Sequence, residues 1–348
     1  MKYYVLLCAV IFLVSCGNKN AITPAVITET AAHDTDDPAI WIHPENVSRS
    51  LIIGTDKDSN GALYVFDLQG KIVHQTDTLK RPNNVDVAYS LALNDSITVD
   101  VAVATERDRN MIRVFSLPDM QAIDNGGIPV FAGEEQRSPM GISLYTRKDS
   151  LEKNEIFAVV GRKDGPSGTY LHQYLLKSDT TGTVTGTLVR KFGNYSGTKE
   201  IEAIAVDNEL GYIYYSDERE GIRKYYADPE KGNEELAIFG TTGFKEDREG
   251  ISIFKADRET GYILVSNQSN RSFKVFPREG TADNRHAHPE IVDIPVKANQ
   301  SDGSDVMNVN FGEPFATGIF VAMSDDRTFH YYDWRKFQEV IDKAQATK

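Results

Sequence analysis

The chain has 348 residues, with 38 Lys+Arg against 51 Asp+Glu for a formal net charge of −13, and 40% of it is hydrophobic. That is a soluble, globular composition, and with no basic block it excludes a protein that holds nucleic acid by neutralising phosphates. An anionic ligand must therefore be met by local positive charge, not by the field of the whole molecule.

The opening residues 1–15 carry a short basic start, an apolar run too short to span a bilayer and a small-residue site, which is the pattern of a secretory signal. Leu13-Val14-Ser15-Cys16 resembles the bacterial lipobox, so Cys16 is the expected lipidation site, and the protein is expected to sit lipid-anchored in the periplasm or outer membrane. Cys8 and Cys16 are the two cysteines of the chain. The folded domain then has no disulfide and depends on its core. Residues 16–30 are expected to be a tether and 31–348 one domain.

Through that domain one apolar strand recurs six times, at Leu51–Lys57, Val101–Arg107, Ile156–Lys163, Tyr212–Glu218, Tyr262–Gln268 and Ile319–Asp325. The first residues lie 50, 55, 56, 50 and 57 apart. An aromatic-bearing strand follows each copy after a turn, beginning with Ala62–Phe66 and ending with Thr328–Tyr332. Another precedes each, beginning with Pro38–Ile42 and ending with Val306–Phe311. Three or four strands per unit at this period predict an all-β, six-bladed β-propeller, with a short helix over Trp334 to Lys348.

In such a blade the first strand lines the channel and the second runs back antiparallel beside it. The start of the first and the end of the second therefore share one end of the stack. Those positions hold the ionisable residues. First-strand starts carry Asp36, Asp37, Asn84, Asp86, Glu200, Glu202, Asp247, Glu249, Asp302 and Asp305; second-strand ends carry Asp56, Lys57, Glu106, Arg107, Arg162, Lys163, Asp217, Glu218, Gln268, Asp325 and Asp326. So many carboxylates at one mouth need cations to stay ionised, and oxygen-only ligands point to calcium. Lys57, Arg107 and Lys163 among them could hold a phosphoryl group. Asp56-Lys57-Asp58-Ser59-Asn60-Gly61 matches the opening of a calcium loop, but these are also turn residues at a place where a hairpin must turn.

Asp36-Asp37-Pro38-Ala39-Ile40-Trp41-Ile42-His43-Pro44, Arg81-Pro82-Asn83-Asn84-Val85-Asp86-Val87, Ala104-Thr105-Glu106-Arg107, Asp247-Arg248-Glu249-Gly250-Ile251 and Ser266-Asn267-Gln268-Ser269-Asn270 together resemble the β-propeller phytases. The resemblance runs in order along nearly the whole domain. It implies a six-bladed propeller, bound calcium and hydrolysis of phosphomonoesters of phytate, myo-inositol hexakisphosphate. It also implies phosphate-holding side chains at Lys57, Arg107 and Lys163, and calcium or active-site carboxylates at Asp36, Asp37, Glu202, Glu218, Asp247 and Glu249; Asp305, a first-strand start, is expected as a further metal ligand. Asn84, Asp164 and Gln268 are assigned to substrate contact, Asp164 standing where the family usually has Glu. Two stretches depart from the family pattern, Gln136–Gly141 in the third blade and Asp302–Asn308 in the sixth.

The mechanism expected from these residues is metal-assisted attack of water on phosphorus, with Glu202 or Glu249 as general base. Partners are expected to be a small phosphomonoester and, through the lipid only, a membrane; the chain is expected to be a monomer, since a closed propeller exposes few sheet edges. Two other functions fit a six-bladed fold. A calcium-dependent lactonase or sugar-acid hydrolase would need the carboxylates without the three basic residues, and a non-catalytic binding protein would need neither.

Overall fold

The computed structural model describes residues 20–347, so the expected signal segment and Cys16 lie outside the described residues. In each of six units an alternating pattern buries both faces of a four-stranded antiparallel sheet. The channel-lining strands are Thr35–Trp41, Pro82–Ala92, Pro139–Lys148, Ile204–Asp207, Arg248–Lys255 and Ser304–Met307. Their second strands are Leu51–Asp56, Thr98–Glu106, Asn154–Arg162, Tyr212–Asp217, Gly261–Asn267 and Ile319–Ser324, each within or overlapping the repeated segment. Inner strands neighbour one another in a closed ring. This is the expected six-bladed β-propeller.

Adjacent residues of one strand serve different interfaces, because side chains alternate across a strand. Ile52 packs between the sixth and first blades, whereas Ile53 packs between the first and second. Six apolar clusters result, one per pair of neighbouring blades. The ring closes with chain from the N-terminal side: Val26 and Ile27 pair with Tyr331 and His330 as the outer strand of the sixth blade. Ile22 and Ala31 are buried as well. Residues 22–30 thus belong to the propeller and not to a tether, since the sixth blade has no other segment to cover its third strand. The C-terminal helix, Trp334–Ala346, buries Trp334, Phe337 and Ile341, and Trp334 stacks on Phe254 with ring centroids 3.7 Å apart.

Four blade junctions are also joined by hydroxyls one residue before the second-strand end. Thr55 Oγ1 donates to the Asn83 carbonyl at 2.7 Å, Thr105 to Met140 at 2.6 Å, Ser216 to Arg248 at 2.6 Å and Ser266 to Ser301 at 2.7 Å. Each bond runs to the inner strand of the next blade or the segment leading into it. The third blade has Gly161 here, and a Cβ added to it would lie 3.2 Å from the Ile201 carbonyl oxygen, which marks the same junction.

A Thr105→Val variant removes the bond to Met140 and also the acceptor of the Asn84 N–H, leaving buried polar groups unmet. Urea titration is expected to show a loss of about 1–3 kcal/mol, against less than about 0.5 kcal/mol for the exposed loop change Thr180→Val.

Candidate active site at the channel mouth

The register locates the mouth. Thr35 pairs with Asp56, Pro82 with Glu106, Pro139 with Arg162 and Arg248 with Asn267, so starts of first strands do meet ends of second strands. In these four blades the ladder then skips one residue, between Thr35 and Pro38, Pro82 and Val85, Pro139 and Ile142, and Arg248 and Ile251. A bulge of this kind re-aims the side chains inside it. The residues inside are Asp36 and Asp37, Asn83 and Asn84, Met140 and Gly141, and Glu249 and Gly250. Gly141 is required because a Cβ there would fall on the backbone oxygen of Glu202.

Alternation separates the paired charges at second-strand ends. Asp56 accepts from the backbone N–H groups of His33 and Asp34, Glu106 from that of Lys80, Asp217 from that of Ser196, and Asn267 from that of Lys245. Arg162 donates to the Gln136 and Thr169 carbonyls. This position therefore holds the incoming crossover loop in blade after blade, and Asp56, Glu106, Arg162 and Asp217 are structural. Asp58 accepts from Asn60 N–H and Asp67 from Gln69 and Lys71, so the segment that matched a calcium loop is two turns.

Lys57, one residue on, forms an ion pair with Asp36 and lies 3.6 Å from Asp302 and 3.8 Å from Glu202. Asn83 Nδ2 donates to Asp36 Oδ2 at 2.9 Å and also to Glu202, and Gln268 donates to Asp302. Glu202 joins this group to a second one. Oxygens of Glu200, Glu202 and Glu218 lie within 4.8 Å of one another, as do those of Glu218, Asp247 and Glu249. Lys163 reaches Glu200 at 3.2 Å. Arg107 makes no ion pair with these carboxylates, and its buried Nε has no hydrogen-bond partner.

Burial dominates the electrostatics. Glu218 is pushed up to about 9, first by burial and then by the charges of Glu202 and Glu200, and Glu249 is raised well above its ordinary value for the same reasons. Burial raises Asp36 too, against the opposing charge of Lys57. For Lys57 burial works against the charge, but Asp36, Glu202 and Asp302 together outweigh it and raise its pKa. Both carboxylate oxygens of Glu218 and Oε2 of Glu249 are buried without a hydrogen-bond donor. An all-oxygen, desolvated and donor-free set of this kind fits a hard divalent cation.

Asp37 and Asp305 lie below this group, and Asn84 borders it, its Oδ1 accepting from Asn83 Nδ2 at 3.1 Å. Asp37 accepts from Val85 N–H at 3.1 Å, and Asp305 from Ile40 N–H at 2.8 Å and Val306 N–H at 2.7 Å. With Asn84 they line a cavity of about 580 Å³ along the channel below the mouth. The bulge turns Asp37 and Asn84 inward where the sequence spacing places them beside their neighbours Asp36 and Asn83. Asp164 is exposed and accepts from Gln136 at 2.6 Å, on the rim. Asn83, the first residue of the Asn-Asn-Val-Asp motif, is a bridge that strand spacing does not mark, and neither does it mark Lys199 or Arg219, which ion-pair with Asp247.

The family model for phytase matches residues 13–332. The chain belongs to the phytase family. It is similar to the 3-phytase of Bacillus subtilis (strain 168), 33% identical over 302 residues, which cover 84% of this chain and 74% of that protein. Membership makes the protein a hydrolase of phosphoric monoesters, and the family's phytate-hydrolysing chemistry has in the mouth both basic groups for phosphate and carboxylates for a metal.

Carboxylates whose folded pKa lies above the unfolded value stabilise the folded phytase-family chain only while protonated. In chelator, thermal stability is therefore expected to fall as pH rises from about 4.5 towards about 9, the interval between the ordinary and folded values of Glu218. A divalent cation that bound these oxygens would flatten that decline, because it would stabilise the ionised form. Melting curves at fixed ionic strength across this interval, with and without added divalent cation, check both.

Proposed function

We propose that the protein is a calcium-dependent phytase whose reaction centre is the mouth group around Glu202. The observation that carries this is the set of buried carboxylate oxygens on Glu218 and Glu249 that lack a hydrogen-bond donor, joined through Glu202 to Lys57. Asp36, Glu202, Glu218, Asp247 and Glu249 would hold the metal. Calcium held there would supply charge neutralisation of the phosphate and activation of water.

The chain's own side chains do the rest. Lys57, Arg107 and Lys163 take up charge on the phosphoryl oxygens, which grows on the equatorial oxygens in a loose transition state. Glu202 touches both the Lys57 group and the acidic group, so it is the residue we assign to accept the proton of the attacking water. Gln268 orients Asp302, which flanks Lys57. Asp37 and Asp305 belong to the channel wall in this proposal and not to the reacting centre. Export, lipidation at Cys16 and a monomeric state complete the reading. Intact-mass measurement of protein from bacterial membranes tests the lipid.

Purified protein is expected to release inorganic phosphate from phytate with calcium present and to stop when a chelator is added. No release from folded protein, combined with hydrolysis of a sugar lactone, would replace this reading by the lactonase one. Glu202→Gln is expected to lower kcat by roughly 10²–10⁴. Lys57→Met is expected to lower kcat/KM by at least about 10² at saturating calcium, with folding checked by near-ultraviolet circular dichroism.

A further inference from the structure

Asp247 differs from its neighbours in the acidic group. Lys199 Nζ lies 3.2 Å from its Oδ2 and 3.7 Å from Glu218 Oε2, while Arg219 Nε forms an ion pair with its Oδ1. Both basic side chains come from the fourth blade. Lys199 is on the crossover leading to its inner strand, and Arg219 on the turn after its second strand. They reach in from solvent, 43% and 41% exposed, to carboxylates that are 1% and 10% exposed. Glu218, Asp247 and Glu249 all keep oxygens without a hydrogen-bond donor, and what sets Asp247 apart is that a cation is ion-paired to each of its two oxygens.

We propose that Lys199 and Arg219 are resident counter-cations that compete with calcium for the Glu218, Asp247 and Glu249 group and thereby set its calcium affinity. The inference rests on reading that group as a calcium site. Both Asp247 oxygens are already engaged by the two cations, so calcium can use them only after the basic side chains withdraw. Withdrawal is open to both, because the Lys199 and Arg219 side chains are long and flexible and are themselves 43% and 41% exposed, so water can take over their solvation when a metal replaces them at the buried carboxylates. Their repulsion of a dication a few ångströms away persists unless they move off. Without metal they compensate charge that burial would otherwise force to protonate.

Calorimetric calcium titration of the purified protein and of Lys199→Gln tests this, together with melting curves in chelator and in excess calcium. Lys199→Gln is expected to bind calcium about three- to thirtyfold more tightly, and Lys199→Arg to return to the wild-type affinity. In chelator Lys199→Gln is expected to melt lower than wild type, and in excess calcium the two are expected to converge. Arg219→Gln, which removes the other cation, must shift affinity in the same direction and keeps the test available if Lys199→Gln does not fold. Wild-type or weaker calcium binding by the folded Gln variant, beside a wild type that does bind, overturns the competition and leaves the calcium reading standing. A wild type that binds no calcium overturns both.

Discussion

The inner strand of each blade has one edge that no strand of its own sheet can cover. Its N–H groups face a channel, and an unmet buried N–H is costly. Side-chain carboxylates from a neighbouring blade meet several of them: Asp37 accepts from Val85, Asp86 from Leu144 and Asp305 from Ile40. A carboxylate suits this place because it accepts several bonds at once; Asp86 also takes the Ser143 hydroxyl at 2.8 Å and the Val87 N–H at 2.7 Å. The ring thus requires acidic residues along its axis before any chemistry is asked of it. Closure, blade order and the polar channel follow from that one unfilled edge.

At the mouth the same residue type meets a different environment. Elsewhere a buried carboxylate is saturated with donors, as Asp207 is by Arg278 at 2.6 and 2.7 Å and Asp124 by Arg113 at 2.8 Å. Glu218 and Glu249 lack hydrogen-bond donors on these oxygens and repel each other, so burial and like charge raise both, with only Lys199, 3.7 Å from Glu218, working against them. Donor saturation, not acidity or burial alone, separates structural carboxylates from those free to bind a cation. Lys57 is the exception that makes the mouth bipolar, a charged amine held among Asp36, Glu202 and Asp302 and close to where an anion would dock.

Six similar blades do not make six similar sites. The hydroxyl junction and the loop-holding residue recur around the ring, and they specify spacing. The residue after the loop-holding position changes from Lys57 to Arg107, Lys163, Glu218 and Gln268. One backbone position therefore supplies cation, anion or amide by blade, and the asymmetric mouth of a phytase-family protein is written on a nearly symmetric frame. Gly141 and Gly250 each leave room for backbone leading into the next inner strand, the Glu202 and Asp302 carbonyls.

The sequence by itself determined the number of blades, the order of strands and the end of the channel at which charge collects, because each follows from period-2 burial and from antiparallel return within a unit. It also marked Lys57, Glu202, Glu218, Asp247 and Glu249 as residues that would meet. It could not tell Asp36 from Asp37 or Asn83 from Asn84, since the extra residue of a bulge has no sequence signature and reverses the faces that simple alternation assigns. Nor could it show that Val26 and Ile27 close the ring, a pairing across 300 residues that depends on which sheet lacks an outer strand. The placement of Lys199 and Arg219 on Asp247 was likewise left to the tertiary structure, because long side chains on loops reach partners that only the packing of neighbouring blades brings near.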